Sequence, residues 1–220
     1  MGIPILVYGK SGSGKSRSLK EFGEDEIFLV NVQRKPLPFR KKFQYVYNAN
    51  PSKKGEIQKI CKALYKMPTK SAVIDDAGYL MTAAFMAGHS APRSGSSSFD
   101  LYNDIADGFW SLINFVLDLP EEKIVYLMMH ETTSDYGETK LRTIGKLLDD
   151  KVCLEGMVSI CLRGMTDGTR HYFLTQSSGR DVSKSPEGMF PDVEIENDLK
   201  MVDDAIRAYY GLNDKQEAKA

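Results

Sequence analysis

Ile3-Pro4-Ile5-Leu6-Val7-Tyr8-Gly9-Lys10-Ser11-Gly12-Ser13-Gly14-Lys15-Ser16 runs from an apolar, β-rich stretch straight into a loop of glycine and serine that ends in Gly-Lys-Ser. Residues 3–8 predict a buried first strand, with Pro4 tolerable near its start. A short helix is expected from about Lys15 to Phe22, with Gly23 just past its end. Between strand and helix, Gly9, Lys10, Ser11, Gly12, Ser13, Gly14, Lys15 and Ser16 fit GxxxxGK[ST]. Glycines there let backbone N–H groups wrap a phosphate without Cβ clashes, and the helix start adds partial positive charge. Lys15 would bridge β- and γ-phosphates and Ser16 would ligate a metal, so ATP and Mg²⁺ are the expected ligands.

Such a site needs a second half. Ser71-Ala72-Val73-Ile74-Asp75-Asp76 supplies one, an apolar strand ending in acids. Asp75 is placed to hold the Mg²⁺ water shell. Asp76 either polarises the attacking water or caps the next helix. A further strand, Lys123–Met129, is followed by His130, where a polar side chain can hydrogen-bond the terminal phosphate and sense its loss. The other reading of His130 is a histidine satisfied by local backbone.

Around these motifs, strands and helices alternate. Ile27–Val32 reads as a second strand, residues 54–67 as a helix with Ile57, Ile60, Cys61 and Leu64 on one face, and Phe99–Leu119 as a long helix ended by Pro120. Residues 33–47, with two prolines, favour an irregular surface segment, and Gly88–Ser98 a mobile loop. Residues 131–146 read as a polar stretch, 157–162 and 171–175 as two strands, 177–197 as irregular, and 199–209 as a last amphipathic helix. The expected fold is therefore α/β, a mainly parallel sheet sandwiched by helices with a C-terminal antiparallel extension. Length fits one domain over 1–210 with a fraying tail, 211–220.

Of the 220 residues, 42% are hydrophobic and 27% charged, which excludes a wholly disordered or collagen-like chain. No apolar run approaches the roughly 20 residues of a bilayer span, so a soluble cytoplasmic protein without a membrane partner is expected. Cys61, Cys153 and Cys161 are widely spaced and form no CxxC pair, which argues against a disulfide framework or structural zinc. The net charge of −1 conceals segregation: residues 1–70 carry 15 Lys/Arg against 5 Asp/Glu, and the remainder 14 against 25. An anionic partner for the first third is one reading, solvated lysines the other. Arg34, Lys35, Arg40, Lys41 and Lys42 alternate with Phe39, Phe43, Tyr45 and Tyr47, which either stack on bases or pack in the core.

The phosphate loop, the Val73-Ile74-Asp75-Asp76 strand end, the Met128-Met129-His130 strand end, Thr143-Ile144-Gly145-Lys146-Leu147-Leu148 and Lys184-Ser185-Pro186-Glu187-Gly188-Met189-Phe190 together resemble phage-encoded AAA-type P-loop ATPases with a RecA-like core, single-domain relatives of RecA in the single-strand annealing and recombination group. The resemblance spans about residues 2–200. It implies an ATPase that assembles as a ring or filament on single-stranded DNA, working with phage recombination or replication proteins in the host cytoplasm. The DNA-contacting loop maps to 131–146, with Lys140, Arg142 and Lys146, and Lys184 would complete a neighbouring subunit's ATP site. One departure stands out: after the second strand, where RecA carries its catalytic glutamate, this chain reads Val30-Asn31-Val32-Gln33-Arg34-Lys35 and has no acid until Glu56. Two other functions stay open, a nucleoside or nucleotide kinase and a non-hydrolysing nucleotide switch.

Overall fold

The N-terminal apolar run forms β1 (Ile3–Gly9) in the computed structural model, which describes residues 1–89, 97–145, 149 and 151–212. Its alternate side chains divide between two cores: Leu6 and Tyr8 point to one face, Ile5 and Val7 to the other. Burial on both faces is why the strand reads as a continuous apolar run and not an alternating one. The other strands are β2 (Ile27–Asn31), β3 (Tyr45–Asn48), β4 (Ser71–Asp75), β5 (Ile124–Thr133), β6 (Thr139–Leu141), β7 (Ile160–Thr166), β8 (His171–Leu174) and β9 (Glu194–Glu196). They join in the order β3-β2-β4-β5-β1-β7-β8-β9, with β6 off this path and paired with β5. All pairs from β3 to β7 along this path are parallel; β8 and β9 add antiparallel.

Helices cover both faces of this mostly parallel sheet, which makes the fold α/β as expected. On one side lie α1 (Glu56–Tyr65), α2 (Gly78–His89) and α3 (Ser97–Leu117), which bury Ile60, Leu64, Leu80, Met81, Ile105, Phe109 and Ile113. On the other, α4 (Leu199–Tyr209) brings Leu199, Val202 and Ile206 against Leu19, Phe22 and Phe173. Among the described residues no helix is long and apolar enough to cross a membrane.

The structure corrects several local readings. The helix after the phosphate loop is a six-residue 3-10 turn, Ser16–Glu21. Of the two C-terminal strands expected to extend the sheet antiparallel, β7 is parallel to β1, and β9 forms within a segment expected to be irregular. β5 runs past His130 to Thr133 and folds back through β6, so 131–141 is a hairpin. Residues 33–47 end in β3; Phe43 is buried, and Phe39 and Tyr47 pack on the cores, so these three rings serve packing. Gly88 and His89 close α2 and Ser97 and Ser98 open α3; the rest of the expected loop, 90–96, lies outside the described residues. Leu212 is buried, with its N–H on the Arg207 carbonyl at 2.9 Å, and 213–220 lie outside the described residues.

α4 is fixed by a buried polar network. Asp203 accepts from Ser71 Oγ at 2.6 Å, Tyr126 OH at 2.9 Å and Arg207 Nε at 2.7 Å, while Arg207 also donates to Ser71 Oγ at 2.7 Å and the Glu122 carbonyl at 3.0 Å. Removing one partner strands a buried charge, so Asp203→Ala should cost about 3–5 kcal/mol in urea unfolding. A loss below about 1 kcal/mol, the range of exposed pairs, would show that the network does not hold the helix.

Candidate nucleotide-binding site

The site is assembled at the C-terminal edge of the parallel strands. Gly9 aligns with His130 on β5 and with Gly164 on β7, and Asp75 ends β4 on the far side of β5. The strand that carries His130 thus lies between the phosphate-loop strand and the strand that ends at Asp75. Gly12 and Gly14 adopt φ of +81° and +93°, left-handed values that favour glycine, in a loop whose backbone N–H groups would hold a phosphate. Gly14 is also backed closely: a Cβ there would stand 2.8 Å from Asn197 Oδ1 and 2.9 Å from His171 Nδ1, whereas nothing lies within 4 Å of one at Gly12. The loop is therefore closely backed at Gly14 and free of neighbours at Gly12. Since the following 3-10 turn is short, these N–H groups, more than a helix dipole, would hold a phosphate.

Lys15 Nζ donates to the Gly9 and Lys10 carbonyls at 2.8 Å each and is buried, not solvent-facing. Burial pushes its ammonium below the ordinary lysine value, against the opposing pull of Asp76 and Asp75. Ser16 Oγ lies 2.9 and 3.0 Å from the two oxygens of Asp75. One hydroxyl and one carboxylate suit Mg²⁺, which keeps most of its waters and takes phosphate oxygens for the rest. Burial, then the Asp76 charge, raises Asp75 above the usual carboxylate range, and a divalent cation would favour its ionised form. The residues present fit Mg²⁺ and a nucleoside polyphosphate.

Asp76 does not cap α2. Its side chain reaches Lys35 Nζ at 2.8 Å and His130 Nε2 at 3.4 Å. Burial pushes this carboxyl up, but hydrogen bonds with His130 and Lys35, and the Lys35 charge, bring it down to about 2. His130 also meets the edge of Tyr79 at 5.8 Å between ring centroids. Lys35 was legible only as one basic residue among five, and the sheet carries it to this cluster.

The remaining expected site residues scatter. Arg142 is exposed, and its N–H donates to the His130 carbonyl at 2.8 Å, which ties the two backbones together. Lys140 pairs with Asp149 at 2.6 Å, and Lys146 lies outside the described residues. Lys184 exchanges both backbone hydrogen bonds with Cys161, level with Leu6 and about 10 Å below Gly9 at the strand rise. Within one chain it is outside the phosphate site. Glu131 and Arg163, not singled out by any motif, form a two-pronged pair at 2.8 and 3.1 Å that fastens the hairpin to β7 beside the loop.

No known protein-family model matches this chain, and no curated protein shows significant similarity to it. Among solved structures, it is similar to a KaiC-like protein from the hyperthermophilic archaeon Pyrococcus horikoshii, at 13% identity and a TM-score of 0.44 over 79% of this chain and 77% of that one.

Proposed function

We propose that this chain is a Mg²⁺-dependent ATPase of the RecA-like type whose nucleotide state controls a contact with single-stranded DNA. The observation that carries the nucleotide reading is the Ser16–Asp75 contact at the mouth of a loop with two left-handed glycines and a buried Lys15. Bound Mg²⁺ would draw charge from the β- and γ-phosphate oxygens. Lys15 and the loop N–H groups hold the same oxygens in position. Asp76 orients a water in line with the γ-phosphorus and takes its proton as the new P–O bond forms and the bond to the bridging oxygen breaks, giving ADP and phosphate. His130, held by Asp76 and Tyr79, senses the terminal phosphate.

For the DNA contact, support comes from the hairpin that continues directly from His130 and from Arg142, bonded to the His130 carbonyl. A shift of His130 on phosphate loss would move Arg142 with it. By reciprocity, DNA would then favour ATP over ADP by the factor by which ATP favours DNA. Phage recombination or replication is the setting that the sequence resemblance supports, and assembly through Lys184 belongs to the same proposal. A non-hydrolysing switch is the second reading, favoured because Asp76 is already engaged by Lys35 and His130. The kinase reading loses ground because a kinase lid needs arginines free to close over the phosphates, whereas Arg163 is paired with Glu131, and Arg170 with Asp167 and Glu194.

Phosphate release measured alone, with single-stranded DNA and with nucleosides separates these functions: stimulation by DNA supports the ATPase, phosphorylated nucleoside the kinase, and tight ATP binding without release the switch. In DNA titrations over a range of salt, Arg142→Ala should flatten the log–log slope by about 0.7, one phosphate contact on a single strand. His130→Ala should keep basal DNA binding and lose the difference between ATP and ADP. An unchanged ATP/ADP ratio in that variant would remove the coupling.

A further inference from the structure

Among the described residues, two that are not glycine adopt left-handed backbone, Arg34 at φ +54° and Asp76 at φ +61°. Such conformations are strained for side chains with a Cβ and persist where the surroundings enforce them, often at functional sites. These two, 42 positions apart in sequence, flank one ion pair. Lys35, next to Arg34, places Nζ 2.8 Å from Asp76 Oδ2. The turn is pinned on both sides, with Arg34 Nε on the Ala49 carbonyl at 2.6 Å and Asn31 Nδ2 on the Lys35 carbonyl at 2.8 Å. Asn31 in turn aligns with Asp75 across the β2/β4 register. A specific and strained backbone path thus delivers Lys35 to the acid end of the nucleotide site.

The lysine is not needed there for packing. Its side chain is 59% exposed, against 13% for Asp76, with the ammonium 5.4 Å from the Tyr79 ring centroid. An ion pair with one partner so exposed adds little stability and exchanges readily. The cluster Lys35 joins contains Asp75, Asp76 and, through their common field, Lys15.

We propose that Lys35 is a ligand of the nucleotide's terminal phosphate, supplied from the β2–β3 connection of the same chain, its ammonium exchanging Asp76 Oδ2 for a γ-phosphoryl oxygen. This rests on the nucleotide-site reading and adds to it a cation that distinguishes triphosphate from diphosphate. The exchange also frees one oxygen of Asp76 when a γ-phosphate arrives, so the group that orients water becomes available only with substrate in place. Lys35 then links recognition of the triphosphate to its cleavage.

The test is equilibrium binding of ADP and of a non-hydrolysable ATP analogue, with saturating Mg²⁺, to the wild type, Lys35→Ala and Lys35→Arg. Loss of one charge-assisted contact should lower analogue affinity about tenfold or more in Lys35→Ala, leave ADP affinity within twofold, and be largely restored in Lys35→Arg. Unfolding should coincide with wild type. Unchanged affinity for both nucleotides, or equal loss for both, would overturn the proposal while leaving the phosphate loop intact. Wild-type protein that binds neither nucleotide would instead remove the underlying site, and the Lys35 assignment with it.

Discussion

Lys15→Ala should lower ATP affinity by two to four orders of magnitude while the protein stays folded. In the proposed site Lys15 would contact both β- and γ-phosphates, and hydrogen bonds to charged groups contribute about 1.5–3 kcal/mol each. Two lost contacts therefore amount to about 10²–10⁴ in the dissociation constant. Because Lys15 Nζ also holds the Gly9 and Lys10 carbonyls, a modest fall in Tm should accompany the substitution. Circular dichroism separates the two effects: a folded variant that still binds ATP tightly would rule out phosphate contact by Lys15.

Asp76→Asn should leave ATP affinity within a few-fold of wild type and reduce turnover by about 10²–10⁴, the usual contribution of a positioned proton acceptor. The amide keeps the size and an acceptor oxygen but loses the charge that draws the water's proton. With its carboxyl held at about 2 in the nucleotide-free protein, Asp76 is ionised throughout the working range, and transfer of Lys35 to the γ-phosphate would raise its basicity. For an acid depressed on folding, the associated stability is present above its unfolded value near 4 and is lost only as pH falls toward 2. The profile of kcat/KM against pH should show no acid limb from Asp76 above about pH 4. An acid limb near neutrality that disappears in the variant, or wild-type turnover in Asp76→Asn, would move the base to another residue.

Where local chemistry is dense, the sequence was readable. Strand β1, its loop and the strand ending at Asp75 each carry a pattern with one plausible structure, and strong apolar runs marked β2, β5 and α3. α2 gave no periodic signal because Tyr79, Leu80, Met81, Ala83, Ala84 and Phe85 surround the helix with apolar side chains. β6 and the end of β5 are mostly polar strands held by each other, and so look like loop. β3, an edge strand after two prolines, was masked by its surroundings. Most consequential was Lys35. Its role depends on Asp76, and only the parallel pairing of β2 with β4 brings those residues together. Similarly, the match of Glu131 to Arg163 exists because β5 and β7 both flank β1.

The most direct measurement is a crystal structure of the full chain grown with Mg²⁺ and a non-hydrolysable ATP analogue. The expected result is the β-phosphate enclosed by the N–H groups of residues 12–16, Mg²⁺ joined to Ser16 Oγ with Asp75 in its shell, and His130 and Lys35 at the terminal phosphate. Nucleotide bound away from the loop, or a loop empty at saturating concentration in solution and crystal alike, would contradict it.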